Sequence, residues 1–155
     1  MSLSANLFAL LLCAAAPDGG DQPARGTEIV EEKMTLNELR QRLEELRNGQ
    51  FGVIQDTRAL VRELRLPAHQ RTEVEGITAS ADAKQHEVGR AAMALLARVK
   101  AENTAVLVVE VLQQVHRDIS TVQERFQTGA GAQTLDLQHE IIDTLKEMID
   151  ALKSR

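Results

Sequence analysis

The chain has 155 residues, of which 43% are hydrophobic and 26% charged, a composition that suits one folded domain and argues against general disorder. The net charge is −5 and no run of basic residues occurs, which argues against nucleic-acid binding because that needs clustered Lys and Arg. Aromatic residues make up only 2%, which lowers the expectation of a ligand pocket and leaves aliphatic residues to fill the core.

An uninterrupted apolar run extends from Leu7 to Ala16 near the N-terminus. It is shorter than the ~20 residues of a membrane-spanning helix, but it matches the apolar core of a secretory signal. Ala14 and Ala15 suit cleavage, although no Lys or Arg precedes the run. We therefore predict a signal peptide over residues 1–15, with an uncleaved apolar tail as the alternative. Export to the periplasm or cell envelope follows, with no transmembrane span in the mature chain.

The segment after the apolar run is rich in Pro and Gly, so residues 16–28 are predicted to be a flexible linker. A single folded domain is then expected over residues 29–155. Cys13 is the only cysteine and lies inside the predicted signal peptide. The mature chain would therefore hold no disulfide and no cysteine-bound metal.

The first strong helix signal begins at Thr35. Thr35 and Glu38 have the spacing of a capping box, in which each side chain bonds to the other residue's backbone N–H. Apolar residues then recur at steps of three and four as far as Leu64, and Pro67 should end the helix. Because Asn48-Gly49 is a plausible break, the segment is predicted to form either one long helix or two collinear helices.

Three further segments repeat the same spacing, each with its own apolar seam. The second helix is predicted from about Ala68 to Lys100, with a seam at Val74, Ile77, Ala81, Lys84, Val88, Ala91 and Leu95. The third has a seam at Ala105, Val108, Leu112, Val115, Ile119, Val122 and Phe126. The last begins near Thr134, after a Gly-rich turn, with a seam at Leu135, Gln138, Ile142, Leu145, Ile149 and Leu152.

Such seams are stable in water only when another helix covers them. Short turns between them predict an all-α fold, an antiparallel helical bundle or hairpin coiled coil of four to five helices. The last seam is expected to pair with the third across the Gly129 turn. Gln138, the polar residue in the last seam, is expected either to fix the helix register or to lie at a shifted edge position, and not to be a functional ligand. The order in which the other helices pair is left open by the sequence.

The residues that could carry chemistry are dispersed. The histidines, one in each segment and with no i, i+4 pair, are His69, His86, His116 and His139. No phosphate-binding loop or nucleophile motif occurs. We therefore expect no enzyme activity, no cofactor and no metal ion. The acidic stripe Glu140, Asp143, Glu147 and Asp150 is expected to be a solvated helix face, with a basic partner or a weak divalent-cation contact as the alternative.

The C-terminal region also carries a resemblance. A pattern of an Asp, a Gly-containing turn, a Thr followed by a Gln, an Ile-Ile pair and a Leu-x-Glu-Met-Ile-x-Ala-Leu ending can be recognised there. Its positions are filled by Asp118, Gly131, Thr134, Gln138, Ile141-Ile142 and the run from Leu145 to Leu152. In these positions the chain resembles exported helical proteins of planctomycete-type bacteria to which no activity is assigned. The resemblance covers about 45 residues of the chain. It implies a bacterial, envelope-associated setting and supplies no activity.

The third segment has more apolar residues than one seam requires. Val106, Leu107, Val109 and Val111 lie outside its main seam, so this stretch is apolar nearly all round and predicts a partner-binding surface. The sequence thus favours a non-enzymatic interaction or scaffold protein of the bacterial cell envelope that binds a protein partner or itself. The alternatives are a periplasmic chaperone-like or stress-binding protein and a helical ligand- or metal-binding bundle.

Overall fold

The computed structural model describes residues 33–154. Within this part of the chain there are four α-helices, one short 3₁₀ helix at Ala68–Gln70 and no strand. The α-helices are α1 Leu36–Leu64, α2 Val74–Ala101, α3 Val106–Thr128 and α4 Ala132–Lys153. Each packs against the next and α4 also packs against α1, which makes an antiparallel four-helix bundle. The predicted all-α bundle is confirmed, whereas the predicted signal peptide and linker lie outside the described residues.

The capping box predicted at Thr35 starts α1. The Glu38 backbone N–H donates to Thr35 Oγ1 at 3.1 Å, and the Thr35 N–H donates to the Glu38 carboxylate at 2.7 Å. α1 then continues without a break through Gly49, which settles the choice between one helix and two. A Cβ atom at Gly49 would lie 2.9 Å from Val88 Cγ2, so the glycine allows α2 to approach α1 closely.

The prediction that the second helix starts near Ala68 is wrong, because α2 begins only at Val74. Arg71 is extended, and the Glu63 carboxylate of α1 accepts hydrogen bonds from the N–H groups of Thr72 at 2.8 Å and Glu73 at 3.2 Å. A side chain of α1 therefore satisfies backbone donors just before α2, which fixes where the second helix can begin.

The core lies along the seams that face the bundle axis. In α3 every predicted seam residue except Ala105 is buried, as the strict three-four spacing indicated. In α2 the prediction was wrong at Lys84 and Ala91, which are exposed, while Gln85 and Ala92 are buried one position later. Exposure of Lys84 leaves its ammonium in water, where it costs no desolvation. Gln85 instead finds a hydrogen-bonding partner inside the bundle.

Two tight connections join the later helices. After α2, Asn103 is left-handed at φ 50°, and the Thr104 N–H donates to the Val99 carbonyl at 3.1 Å, as in a Schellman cap. After α3, Gly129 has φ 136° and its N–H donates to the Arg125 carbonyl at 2.8 Å. The short α3–α4 turn makes these helices antiparallel neighbours, as predicted.

The Asn103 conformation can be tested by substitution. Asn103→Val should lower the free energy of unfolding by about 1–2 kcal/mol, because a β-branched residue is disfavoured at positive φ. Asn103→Gly is the matched control and should be as stable as the wild type or slightly more stable. Urea denaturation measures both. Equal stability of the two variants would contradict a left-handed cap.

The capping box predicts that the contribution of Glu38 to the stability of the fold depends on pH. Hydrogen bonds from the backbone and side chain of Thr35 hold the pKa of Glu38 below its ordinary value. A carboxyl whose pKa is lower in the folded state contributes stability above its unfolded pKa and loses it as the pH falls through its folded pKa. The melting-temperature difference between the wild type and Glu38→Ala should therefore shrink between neutral pH and about pH 3. Glu124→Ala, whose carboxylate caps no helix, is the control and should show no such change.

Candidate interaction surface

The predicted partner-binding stretch lies at the start of α3. Val106, the first residue of the helix, is 72% exposed. Leu107, Val109 and Val111 are half-buried, and Val108 between them is in the core. The stretch is therefore not a single exposed face. Val106 is the only exposed residue of the stretch.

Two exposed apolar residues that the sequence did not single out as surface lie toward the same end of the bundle. Leu36 in the first turn of α1 is 54% exposed, and Met93 in the last third of α2 is 55% exposed. The Met34 N–H donates to the Glu102 carboxylate at 2.9 Å, which joins the start of α1 to the α2–α3 connection just before Val106. We call the two exposed residues Leu36 and Met93, together with Val106, the apolar end.

The position of Leu36 shows what the sequence pattern leaves undetermined. Leu36 keeps the three-four spacing of the α1 seam and was expected in the core. It lies in the first helical turn, however, and remains exposed, whereas Leu39 in the next turn is buried. Periodicity identifies the face of a helix, but it does not tell how far along that face the neighbouring helices extend.

A set of polar side chains crosses the core away from the apolar end. Gln50 of α1 and Gln85 of α2 are fully buried and exchange two amide hydrogen bonds of 3.2 Å. Gln138 of α4 donates to Thr57 Oγ1 at 3.1 Å, and the Thr57 hydroxyl donates to the Val53 carbonyl at 3.0 Å. The other amide atom of Gln138, Oε1, is buried without a hydrogen-bonding partner. Of the two positions expected for Gln138, the structure therefore shows the one in the core, with Thr57 as its partner.

Two of the four histidines, His86 and His139, lie at separate contacts between helices. His86 of α2 contacts the Gln123 amide of α3 and lies 3.4 Å from the Asp82 carboxylate. Nε2 of His139 in α4 lies 3.2 Å from an Arg58 guanidinium nitrogen in α1. Among residues 33–154, no cluster of three or more His, Cys, Asp or Glu side chains could hold a metal ion. In the same part of the chain, no helix combines the length and apolarity needed to span a membrane.

The acidic stripe and a groove between α1 and α2 are two further surface features. The acidic residues Glu140, Asp143, Glu147 and Asp150 are exposed on α4, on the face where a solvated stripe was expected. A shallow groove of about 360 Å³ lies between α1 and α2, where Gly49 and Gly52 leave space beside Glu87 and Lys84. Lys84 is engaged with Asp56 at 2.7 Å, so the groove offers a ligand few unoccupied charged groups.

Comparison with protein-family models, curated proteins and solved structures finds no match for this chain. The resemblance of the C-terminal region to exported helical proteins therefore stays a prediction.

The paired glutamines give a test of the core. Gln50→Leu or Gln85→Leu alone should lower the free energy of unfolding by about 1–3 kcal/mol, because the remaining amide is left buried and unpaired. The double variant should lose less than the sum of the single losses, since no unpaired amide remains. Urea denaturation of the two single variants and the double variant gives the interaction free energy between Gln50 and Gln85. Gln41→Leu, which removes an exposed hydrogen bond to Glu45, is the control and should change stability by less than about 0.5 kcal/mol. Additive losses at Gln50 and Gln85 would contradict the pairing.

Proposed function

We propose that this protein is a non-enzymatic helical interaction protein that binds a protein partner or a second copy of itself through the apolar end. The observation that carries the proposal is the exposure of Val106, which is 72% accessible although it belongs to an apolar stretch. Leu36 of α1 and Met93 of α2 are also more than half exposed and lie toward the same end of the bundle. Exposed apolar side chains that cluster on a folded domain mark interaction sites more often than isolated ones do.

The physical basis is the burial of apolar surface. Each Val, Leu or Met side chain that passes from full exposure to burial contributes roughly 1.5–3 kcal/mol. The apolar end thus offers several kilocalories of binding free energy, before the cost of association is subtracted. Its half-buried neighbours Leu107 and Val109 can gain further contacts when a partner covers them.

The cellular setting that we propose is the bacterial cell envelope. Its support is the apolar run from Leu7 to Ala16, which has the length of a secretory signal core. A chaperone-like activity would use the same exposed apolar residues for unfolded client segments. An aggregation assay distinguishes a chaperone from a specific interaction protein, because only a chaperone suppresses the aggregation of an unrelated unfolding protein.

The apolar end predicts how association responds to substitution. The variant carrying Leu36→Ser and Val106→Ser should lose self-association, measured by light scattering over a range of concentrations, because less apolar surface is then buried in the complex. If the wild-type chain is monomeric throughout, the variant should instead lose capture of a partner from a lysate of the source cells.

The control variant carries Phe51→Ser and Leu66→Ser. These two side chains are 45% and 39% exposed but lie outside the apolar end. Circular dichroism should give the same helix content for both variants. Equal losses of association in the two variants, or no loss in either, would overturn the proposed role of the apolar end.

A further inference from the structure

The side of the bundle formed by α1 and α4 carries a row of arginines. They follow one another along α1 and its C-cap at steps of seven, eleven, four and three residues, each of which returns to nearly the same side of a helix. We call them the basic stripe: Arg40, Arg47, Arg58, Arg62 and Arg65. An Arg58 guanidinium nitrogen lies 3.2 Å from Nε2 of His139 in α4, so this side of α1 borders α4.

The acidic stripe of α4 lies on the same side of the bundle. Asp143 follows His139 by four residues, about one helical turn, and Asp136 precedes His139 by three residues. Both aspartates are exposed, as are the other members of the acidic stripe. The basic stripe of α1 and the acidic stripe of α4, which Asp136 extends, therefore run side by side.

Contacts within the chain leave most of these charges unpaired. Among residues 33–154, the side chains of four basic-stripe residues make no hydrogen bond or ion pair, namely Arg40, Arg47, Arg62 and Arg65. Arg58 bonds to an imidazole and not to a carboxylate. In the acidic stripe of this described part, the one ion pair joins Asp150 to Lys153 at 3.5 Å. Opposite charges thus share one face of the bundle without neutralising each other.

We propose that the α1–α4 face pairs with the same face of a second copy, about a two-fold axis parallel to the helices. This rotation lays α1 of each copy over α4 of the other, so the basic stripe meets the acidic stripe twice. Charge complementarity identifies the occupant, because a second copy supplies both stripes in the arrangement that the face requires. An acidic partner of another kind would cover the arginines and leave the acidic stripe unmatched.

The positions of the charges along the helices agree with this pairing. A rotation about an axis parallel to the bundle keeps each residue at its own height. Counting away from the α1–α4 hydrogen bond in opposite directions along the antiparallel helices, Arg47 lies level with Asp150. Glu44, an acidic residue three positions before Arg47, lies level with Lys153. The exception to the basic pattern of α1 is therefore matched by a basic residue of α4.

The face is large enough for a specific dimer. With 22 residues, α4 is about 33 Å long, and two adjacent helices are about 20 Å wide. Pairing this face on two copies would bury roughly 1,300 Å² in total, within the range of specific interfaces. Phe51, which is 45% exposed and follows Arg47 by four residues, adds apolar surface to it. Because exposed ion pairs each contribute little, the dimer should be weak and sensitive to salt.

Charge reversal in two separate chains tests the pairing. One variant carries Arg58→Glu with Arg62→Glu, and the other carries Asp136→Lys with Asp143→Lys; all four residues are exposed. Each variant alone should have a dimer dissociation constant at least about tenfold above that of the wild type, because like charges then face each other. An equimolar mixture should form a heterodimer, since an acidic α1 then meets a basic α4 at both halves of the interface. Sedimentation velocity of the full chains over a range of concentrations measures all of these.

The matched control changes the same charges on the other two helices. Arg90→Glu with Arg117→Glu alters the net charge as the first variant does and should dimerise like the wild type. Circular dichroism should give every variant the helix content of the wild type. A mixture that associates no better than its two components, or a control that loses as much as the first variant, would overturn the pairing. So would a monomeric wild type that binds poly-glutamate, which would assign the basic stripe to an acidic partner.

Salt separates this dimer from association through the apolar end. Raising the salt from about 0.1 M to about 1 M shortens the Debye length from about 10 Å to about 3 Å and should dissociate the α1–α4 pairing. Apolar association does not depend on charge, so what persists at about 1 M salt belongs to the apolar end. Leu36→Ser with Val106→Ser should leave the salt-sensitive dimer intact. Its loss in that variant, or a dimer unaffected by salt, would refute pairing through the charged stripes.

Discussion

The close contact between α1 and α2 at Gly49 and Gln50 is the constraint on which the rest of the bundle depends. The missing side chain at Gly49 lets Val88 approach the α1 backbone, and at that separation the Gln50 and Gln85 amides can reach each other. A shift of either helix along the other would leave two buried amides without partners, at about 1–3 kcal/mol for each. An aliphatic pair at these positions would tolerate such a shift far better. The amide pair therefore fixes the register of this hairpin, and α3 and α4 pack onto the surface that it defines.

The register of α2 in the bundle is also where the prediction from sequence differs from the structure. The seam of α3 was predictable because its residues are large and because, from Gln113 onward, the other positions of the helix are polar, so only one face can be buried there. α2 is rich in alanine, and alanine is small enough to lie at the edge of a core or outside it. The choice between Lys84 and Gln85 then depended on Gln50, a residue far away in the chain. Helical periodicity contains no information on such a partner.

The start of α2 and two residues of the apolar end were not predicted, for a related reason. The carboxylate of Glu63 binds the N–H groups of Thr72 and Glu73 just before α2 begins at Val74, and nothing local to residues 68–73 indicates that interaction. Val106 was recognisable as surplus apolar surface, since it lies outside the α3 seam. Leu36 and Met93 were not, because their exposure depends on where neighbouring helices end. The Thr35 cap, the Gly129 turn and the α3 seam could thus be predicted from local sequence, while the start and seam of α2 and the surfaces left uncovered depend on tertiary contacts.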